Sequence, residues 1–163
     1  MSVEILLRDV QASDLALFFA QQLDPEATRM AEFPARAHDV FMAHWTRCMA
    51  EETTTLKAVV FDGQVAGHIV GWKQDGVHKV GYWLGREFWG KGIATAALRQ
   101  FLRQMNVRPL FASVAKQNAA SIRVLQKCGF TICGTDTFCG ADSEPSEGLI
   151  LTLGENLPAE PGP

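Results

Sequence analysis

Apolar and polar positions change period several times along this chain, and each change marks an element. "VEILLR", residues 3–8, alternates briefly and predicts an opening strand. "SDLALFFAQQL" follows and predicts a helix with Ser13 or Asp14 as its N-cap. Residues 24–38, "DPEATRMAEFPARAH", mix charges with turn residues, and Pro25 and Pro34 predict an irregular stretch. Asp39 then predicts the cap of a helix on which Phe41, His44, Trp45 and Cys48 recur at helical spacing.

The middle of the chain is β-rich. Asp62-Gly63 and Asp75-Gly76 are two-residue hairpin signals, so three antiparallel strands are expected at 56–61, 64–73 and 77–84. From Ile93 the period lengthens. Ala94, Ala97, Leu98, Phe101, Leu102 and Met105 predict an amphipathic helix, stopped by Pro109. "LFASV", 110–114, reads as a short buried strand. "NAASIRVLQKCGF" reads as a helix capped by Asn118 and ended by Gly129. Two last strands, near 130–138 and 148–153, flank the loop "GADSEPSE". One domain over 1–153 is expected, with a proline-rich, disordered tail at 154–163.

Size and composition fit that picture. A chain of 163 residues suits a single core, and no apolar run reaches the ~20 residues of a membrane span. No basic segment followed by an apolar stretch opens the chain, so no secretory signal is visible. The four cysteines form no CxxC pair, and with no secretory signal this argues against a disulfide framework and for a reduced, cytoplasmic protein. Charge adds more. Residues 88–135 contain no acid but carry Lys91, Arg99, Arg103, Arg108, Lys116, Arg123 and Lys127, against a net charge of −3 for the whole chain. Helices commonly carry basic solvated faces; a segment this one-sided is also suited to an anion. Nucleic acid is a poor candidate, because the positive residues are spread over two helices and their loops.

"WGKGIAT", residues 89–95, sits where the basic segment meets a helix start. A phosphate-binding P-loop needs GxxxxGK[ST], and that spacing is absent. A dinucleotide fingerprint needs a third glycine where Thr95 stands and an acid about 20 residues on; the next acid is Asp136. The remaining reading is a helix N-terminus that takes an anion on its free N–H groups, with Lys91 adding charge and Thr95 a hydroxyl.

"EFWGKGIATAAL" followed by "NAASIRVLQKCGF" resembles the two ordered motifs of the GNAT superfamily of acyl-CoA-dependent N-acetyltransferases. With "GYWL" before them, the set looks most like the branch containing ribosomal-protein N-terminal acetyltransferases. The resemblance is close over about 57–131. It implies an α+β GNAT fold: a central mixed, mostly antiparallel sheet of about seven strands, flanked by about four helices and splayed between its two central strands. It also implies acetyl-CoA as cosubstrate, with no metal. Its pyrophosphate would lie on the amides of Trp89, Gly90, Lys91, Gly92, Ile93, Ala94 and Thr95, its pantetheine beside Trp83 and Leu84, and Asn118 could contact it while capping a helix. Two departures stand out. Glu87 replaces the Gln or Arg three residues before the first glycine, and the tyrosine that often protonates the leaving thiolate falls at Leu125.

The implied reaction is direct attack of a neutral amine on the thioester. With Leu125 unable to donate a proton, Ser121 is the candidate acid, although it is equally a small residue in a helix's first turn. Glu32, His44, His68 and Glu87 are candidate bases; Glu32 lies in the segment that commonly forms the acceptor wall in this family, and His44 reads better as a packed histidine. Trp72, Tyr82 and Trp83 could line a pocket for an amine, either a protein N-terminus or a small molecule, while Phe41 and Trp45 read as core. The alternative is a catalytically silent acyl-CoA-binding module of the same fold. Strand edges could pair two copies into a homodimer.

Overall fold

Both Asp-Gly turns form as the pattern predicts. In the computed structural model, which describes residues 3–139 and 145–154, they join β2 (Thr55–Phe61), β3 (Gln64–Gln74) and β4 (Val77–Leu84) into an antiparallel meander. Asp62 and Asp75 have φ of 52° and 54°, and the glycines after them 75° and 78°. Two consecutive positive φ values match the right-handed twist of the strands they connect. A short β1 (Leu6–Asp9) pairs antiparallel with β2 and starts later than the sequence pattern suggests.

The first helical region departs from expectation. A 3₁₀ turn at Ala12–Asp14 leads into α1 (Leu15–Gln22), and Asp14 makes no cap bond to it. Asp14 turns back to β1 instead, accepting two hydrogen bonds from the Arg8 guanidinium at 2.8 and 2.9 Å and one from the Gln11 N–H at 2.8 Å. Residues 24–38 are not wholly irregular: α2 (Pro25–Ala31) is a helix capped by Asp24, whose side chain accepts from the Glu26 N–H at 3.1 Å. Pro25 occupies the first helical position, where a missing N–H costs nothing and the fixed φ favours entry. The helix α3 (His38–Ala50) begins before Asp39, with Ala37 as its N-cap, so Asp39 lies in the first turn and does not cap it.

The second half follows the pattern more closely. The amphipathic α4 (Ile93–Gln104), β5 (Leu110–Ala115) and α5 (Ala119–Lys127) succeed one another. Asn118 caps α5 by accepting from the Ser121 N–H at 3.2 Å, and the N–H groups of Gly129 and Phe130 close its end on Gln126 and Leu125. β6 (Thr131–Cys139) and β7 (Pro145–Leu153) pair antiparallel, β7 starting three residues earlier than expected. Residues 140–144 of the predicted loop and 155–163 of the predicted tail lie outside the described residues.

The seven strands form one mixed sheet in the order β1-β2-β3-β4-β5-β7-β6, parallel between β4 and β5 and antiparallel elsewhere. This is the expected α+β architecture, with five α-helices among the described residues in place of about four; the addition is α2. Each face of the sheet carries a core. Ile93, Leu98 and Phe101 of α4 and Leu125 of α5 pack with Ile69, Leu110 and Leu151 on one side. Leu15 and Phe18 of α1 pack with Phe41 and Trp45 of α3 on the other. Each such buried side chain contributes about 1.5–3 kcal/mol relative to exposure.

Candidate active site

The parallel neighbours β4 and β5 hardly pair. Lys79 and Phe111 form the one registered pair between them, after which the strands diverge. On its other side β4 runs in register with β3, and the Gly85 N–H still reaches the Ala66 carbonyl at 2.9 Å. Antiparallel pairing alternates, so from that bond the main-chain groups of Trp83 point back to β3, whereas those of Tyr82 and Leu84 point into the gap. The Trp89 indole N–H donates to the Leu84 carbonyl at 3.1 Å and closes one edge of the opening.

A cavity of about 410 Å³ fills the gap and continues to the start of α4. Trp83, Leu84, Trp89, Gly90 and Gly92 line it, followed by Ile93, Ala94 and Thr95 on the first turn of the helix. Gly90 and Gly92 have φ of 73° and 78°, a backbone conformation that resists side chains, and no atom lies within 4 Å of where a Cβ on Gly90 would stand. Gly92 is the N-cap and provides no side chain to satisfy the turn. Among the described residues no protein group accepts from the N–H groups of residues 90–95. These unsatisfied donors, with the positive end of a helix behind them, form an anion cradle. Arg123 and Lys127 of α5 line the same cavity.

Other members of the basic segment act elsewhere. Arg108 donates to the carbonyls of Leu102, Met105 and Val107 at the end of α4, and Lys116 pairs with Glu147 at 2.9 Å. The charge is thus partly a device of α4 and β7, and partly a property of the cavity.

Residues 4–131 match the acetyltransferase (GNAT) domain family. The chain belongs to that family. YdaF of Bacillus subtilis (strain 168), whose name assigns it provisionally as a ribosomal N-acetyltransferase, is 26% identical over 134 residues, covering 78% of this chain and 69% of YdaF. Among solved structures, spermidine N-acetyltransferase from Vibrio cholerae, in complex with CoA and spermine, superposes with a TM-score of 0.79 at 14% identity, over 91% of this chain and 94% of that one. RimL, a ribosomal-protein alpha-N-acetyltransferase solved with coenzyme A, superposes with a TM-score of 0.73 at 17% identity, over 93% and 94%. Both share the fold.

In this GNAT acyltransferase α5 presents polar side chains to the cleft. Ser121 and Asn118 line the cavity, whereas Leu125, where the motif resemblance implies a tyrosine, is 2% exposed and sits in the core. A phenol from β4 reaches the same helix. Tyr82 Oη lies 2.7 Å from Ser121 Oγ. Burial raises the Tyr82 pKa, while the Ser121 contact draws it down.

The remaining wall of this GNAT cleft is α2, through Ala27, Met30 and Ala31, three positions on one helical face. Sequence reasoning missed this face, although the Asp24-Pro25 pair is a helix-start signal. Glu32 follows directly, at φ 53°, and is not among the lining residues. Its Oε2 accepts from Gln117 Nε2 at 2.8 Å, while the same amide donates to the Arg29 carbonyl. Lys91 lies in the glycine turn but is likewise not a lining residue. Phe33 faces Trp83 with ring centroids 6.1 Å apart, and the Arg36 guanidinium stands 5.0 Å over the Phe33 ring.

The histidines lie away from the cavity. His68 sits between Phe18 and Trp45, its Nδ1 buried without a partner, and desolvation pushes its pKa down to about 3. His44 Nε2 lies 3.6 Å from Cys48 Sγ on α3, and burial lowers its pKa. Glu87 is exposed in a 3₁₀ turn at Arg86–Phe88. Trp72 packs over Gly81, and its indole N–H reaches Gln74 at 3.4 Å.

Proposed function

We propose that residues 1–153 form one catalytic domain that transfers an acetyl group from acetyl-CoA to a primary amine, either a protein N-terminus or a small-molecule amine. The parting of β4 from β5 above an unsatisfied helix N-terminus carries this reading. That arrangement offers fixed main-chain donors for a pyrophosphate and open strand edges for the pantetheine amides. Trp83, Leu84, Trp89, Asn118 and residues 90–95 form the coenzyme site, and the unpaired Cys48, Cys128 and Cys133 suit a reducing cytoplasm. The relatives that acetylate spermidine or a ribosomal protein act on amines of these two classes.

The amine attacks the thioester carbonyl directly within a ternary complex. The N–H groups of Tyr82 and Leu84 face the gap and stabilise the oxyanion as charge develops. Ser121 protonates the departing thiolate. Glu32, one residue beyond the cavity wall, takes the amine's proton directly or through water; Gln117 holds one of its oxygens and leaves the other without a protein partner among the described residues. An α-amine, with a pKa of ~7.7–8.0, asks far less of such a base than a lysine amine at ~10.4.

Thiol release from acetyl-CoA, measured against peptides with free N-termini, spermidine and simple amines, tests the assignment. Turnover of at least one class is expected. The buried Leu125 favours a second reading, a silent acyl-CoA-binding module; micromolar binding of CoA without turnover of any amine would establish it.

A further inference from the structure

The catalytic acid on α5 is joined to a second hydroxyl, and the pair stands between two spaces. Behind the main cavity lies a smaller one of about 110 Å³, between Val80–Tyr82 of β4 and Ala112–Ala115 of β5. Tyr82, Asn118 and Ser121 line both. The hydroxyl pair therefore occupies the throat where the strands part.

Chemistry orients the 2.7 Å bond. Either oxygen can donate across this contact, but a phenol is a stronger acid than an alkyl alcohol, which favours Tyr82 as donor and Ser121 as acceptor. The Ser121 N–H is already held by Asn118 Oδ1, which fixes the serine's place in the first turn of α5. With its oxygen engaged by the phenol, the Ser121 hydroxyl proton is left to point into the cleft. Burial keeps Tyr82 protonated above the ordinary tyrosine range, so the donor persists through neutral pH. Cys128, whose thiol burial also raises, acts on the Tyr82 phenol, and Arg123 and Lys127 line the same cavity.

The geometry points to Tyr82 as the positioning residue for Ser121: it aligns the serine proton with the leaving sulfur and replaces that proton as it departs. This inference rests on the proposed acetyl transfer. The step balances. The N–C bond forms and the C–S bond breaks, its electron pair leaving on sulfur. Ser121 gives its proton to sulfur and receives the phenolic proton of Tyr82. The proton that Glu32 takes from the amine nitrogen is released to solvent, and solvent restores Tyr82. One proton moves from nitrogen to sulfur overall.

Tyr82→Phe, Ser121→Ala and the double variant test it by steady-state kinetics on an amine that the wild type acetylates. Ser121→Ala is expected to lower kcat about 100-fold, at the lower end of general-acid contributions, and Tyr82→Phe about tenfold, with the KM for acetyl-CoA unchanged. The double variant is expected to be no slower than Ser121→Ala, because Tyr82 acts only through the serine. Additive losses, or full activity in Tyr82→Phe, overturn the assignment while leaving acetyl transfer intact. A wild type that turns over no amine sinks the transfer itself. Tyr82 is the chain's only tyrosine, so near-ultraviolet titration gives a readout independent of turnover and of whether Tyr82→Phe folds. Removing the Ser121 hydroxyl is expected to move the phenol titration upward. An unchanged titration dissolves the pair.

Discussion

The two edges of β4 teach opposite lessons. Toward β3 the strand is paired over eight residues, from Gly67↔Leu84 to Gln74↔Val77; toward β5 it is paired at one. On the closed edge the chain satisfies its own main chain. On the open edge the Leu84 carbonyl is taken by the Trp89 indole N–H, but the Leu84 N–H and the main-chain groups of Tyr82 face a cavity, where left unpaired they would be costly. A bound molecule that brings its own amides resolves that cost, so the open edge reads as a binding surface. The closed edge holds the open one in place.

Breaking the closed edge gives the largest expected effect. A Cβ on Gly67 would lie 2.0 Å from the Trp83 carbonyl oxygen and 2.9 Å from the Leu84 Cα, both backbone atoms. Gly67→Ala is therefore expected to lower stability by about 3 kcal/mol, read from urea denaturation. A variant as stable as the wild type would show that close approach to β3 does not fix β4.

Breaking the open edge should act on binding. Gly92→Val places a branched side chain at φ 78°, with its Cβ 3.2 Å from Val3, which strains the turn that presents the amides starting α4. Calorimetry is expected to show coenzyme A binding weakened about 100-fold, which corresponds to about 2.7 kcal/mol. An affinity within threefold of the wild type would remove these amides from anion binding.

The closed edge was the more legible of the two, and for a physical reason. Asp62-Gly63 and Asp75-Gly76 encode their turns locally, and Ala97, Leu98, Phe101 and Leu102 mark the buried face of α4 without reference to the rest of the chain. The glycine turn was likewise readable, since two positive-φ glycines before a helix are a local signal. The cavity's other walls were not. Tyr82 meets Ser121 across 39 residues of sequence, and α2 reaches the cleft only because the sheet folds beneath it. Pro25 reads locally as a breaker, although after Asp24 it begins a helix. His68 shows the same limit: alternation put it in a strand, but Phe18 and Trp45, which enclose it, come from other elements.

A control on the outer edge sharpens the contrast. Arg8 and Asp14 tie β1 to the approach of α1, with Asp14 only 6% exposed. The Arg8 hydrogen bonds lower the Asp14 pKa, so this contribution is complete above the unfolded aspartate pKa of ~3.9 and disappears as pH falls through the lower folded value. Asp14→Asn should cost about 2 kcal/mol at pH 7, and the deficit should shrink in acid. Coenzyme A affinity should not change, because the pair lies away from the open edge. A deficit that is constant from pH 7 to pH 3 would mean that the charge of Asp14 contributes nothing.

The smallest expected effect separates the two means by which the open edge holds an anion. Donors at the start of α4 are fixed in the backbone, whereas Lys127 is an exposed side chain on the cavity wall, in the last turn of α5. Its carbonyl is tied to Arg99 at 3.4 Å, so truncation leaves the helix end anchored. Exposed charges interact weakly and are screened over about 10 Å at 0.1 M salt; Lys127→Ala should therefore weaken coenzyme A binding only about threefold at low ionic strength. As salt rises, wild type and variant should converge, because the lysine contribution is screened and the amide contribution is far less so. Gly92→Val should stay weak at every ionic strength. If Lys127→Ala matched Gly92→Val in its loss, or kept its deficit in high salt, the anion would be held chiefly by side-chain charge, and the open edge would lose its claim to be a main-chain site.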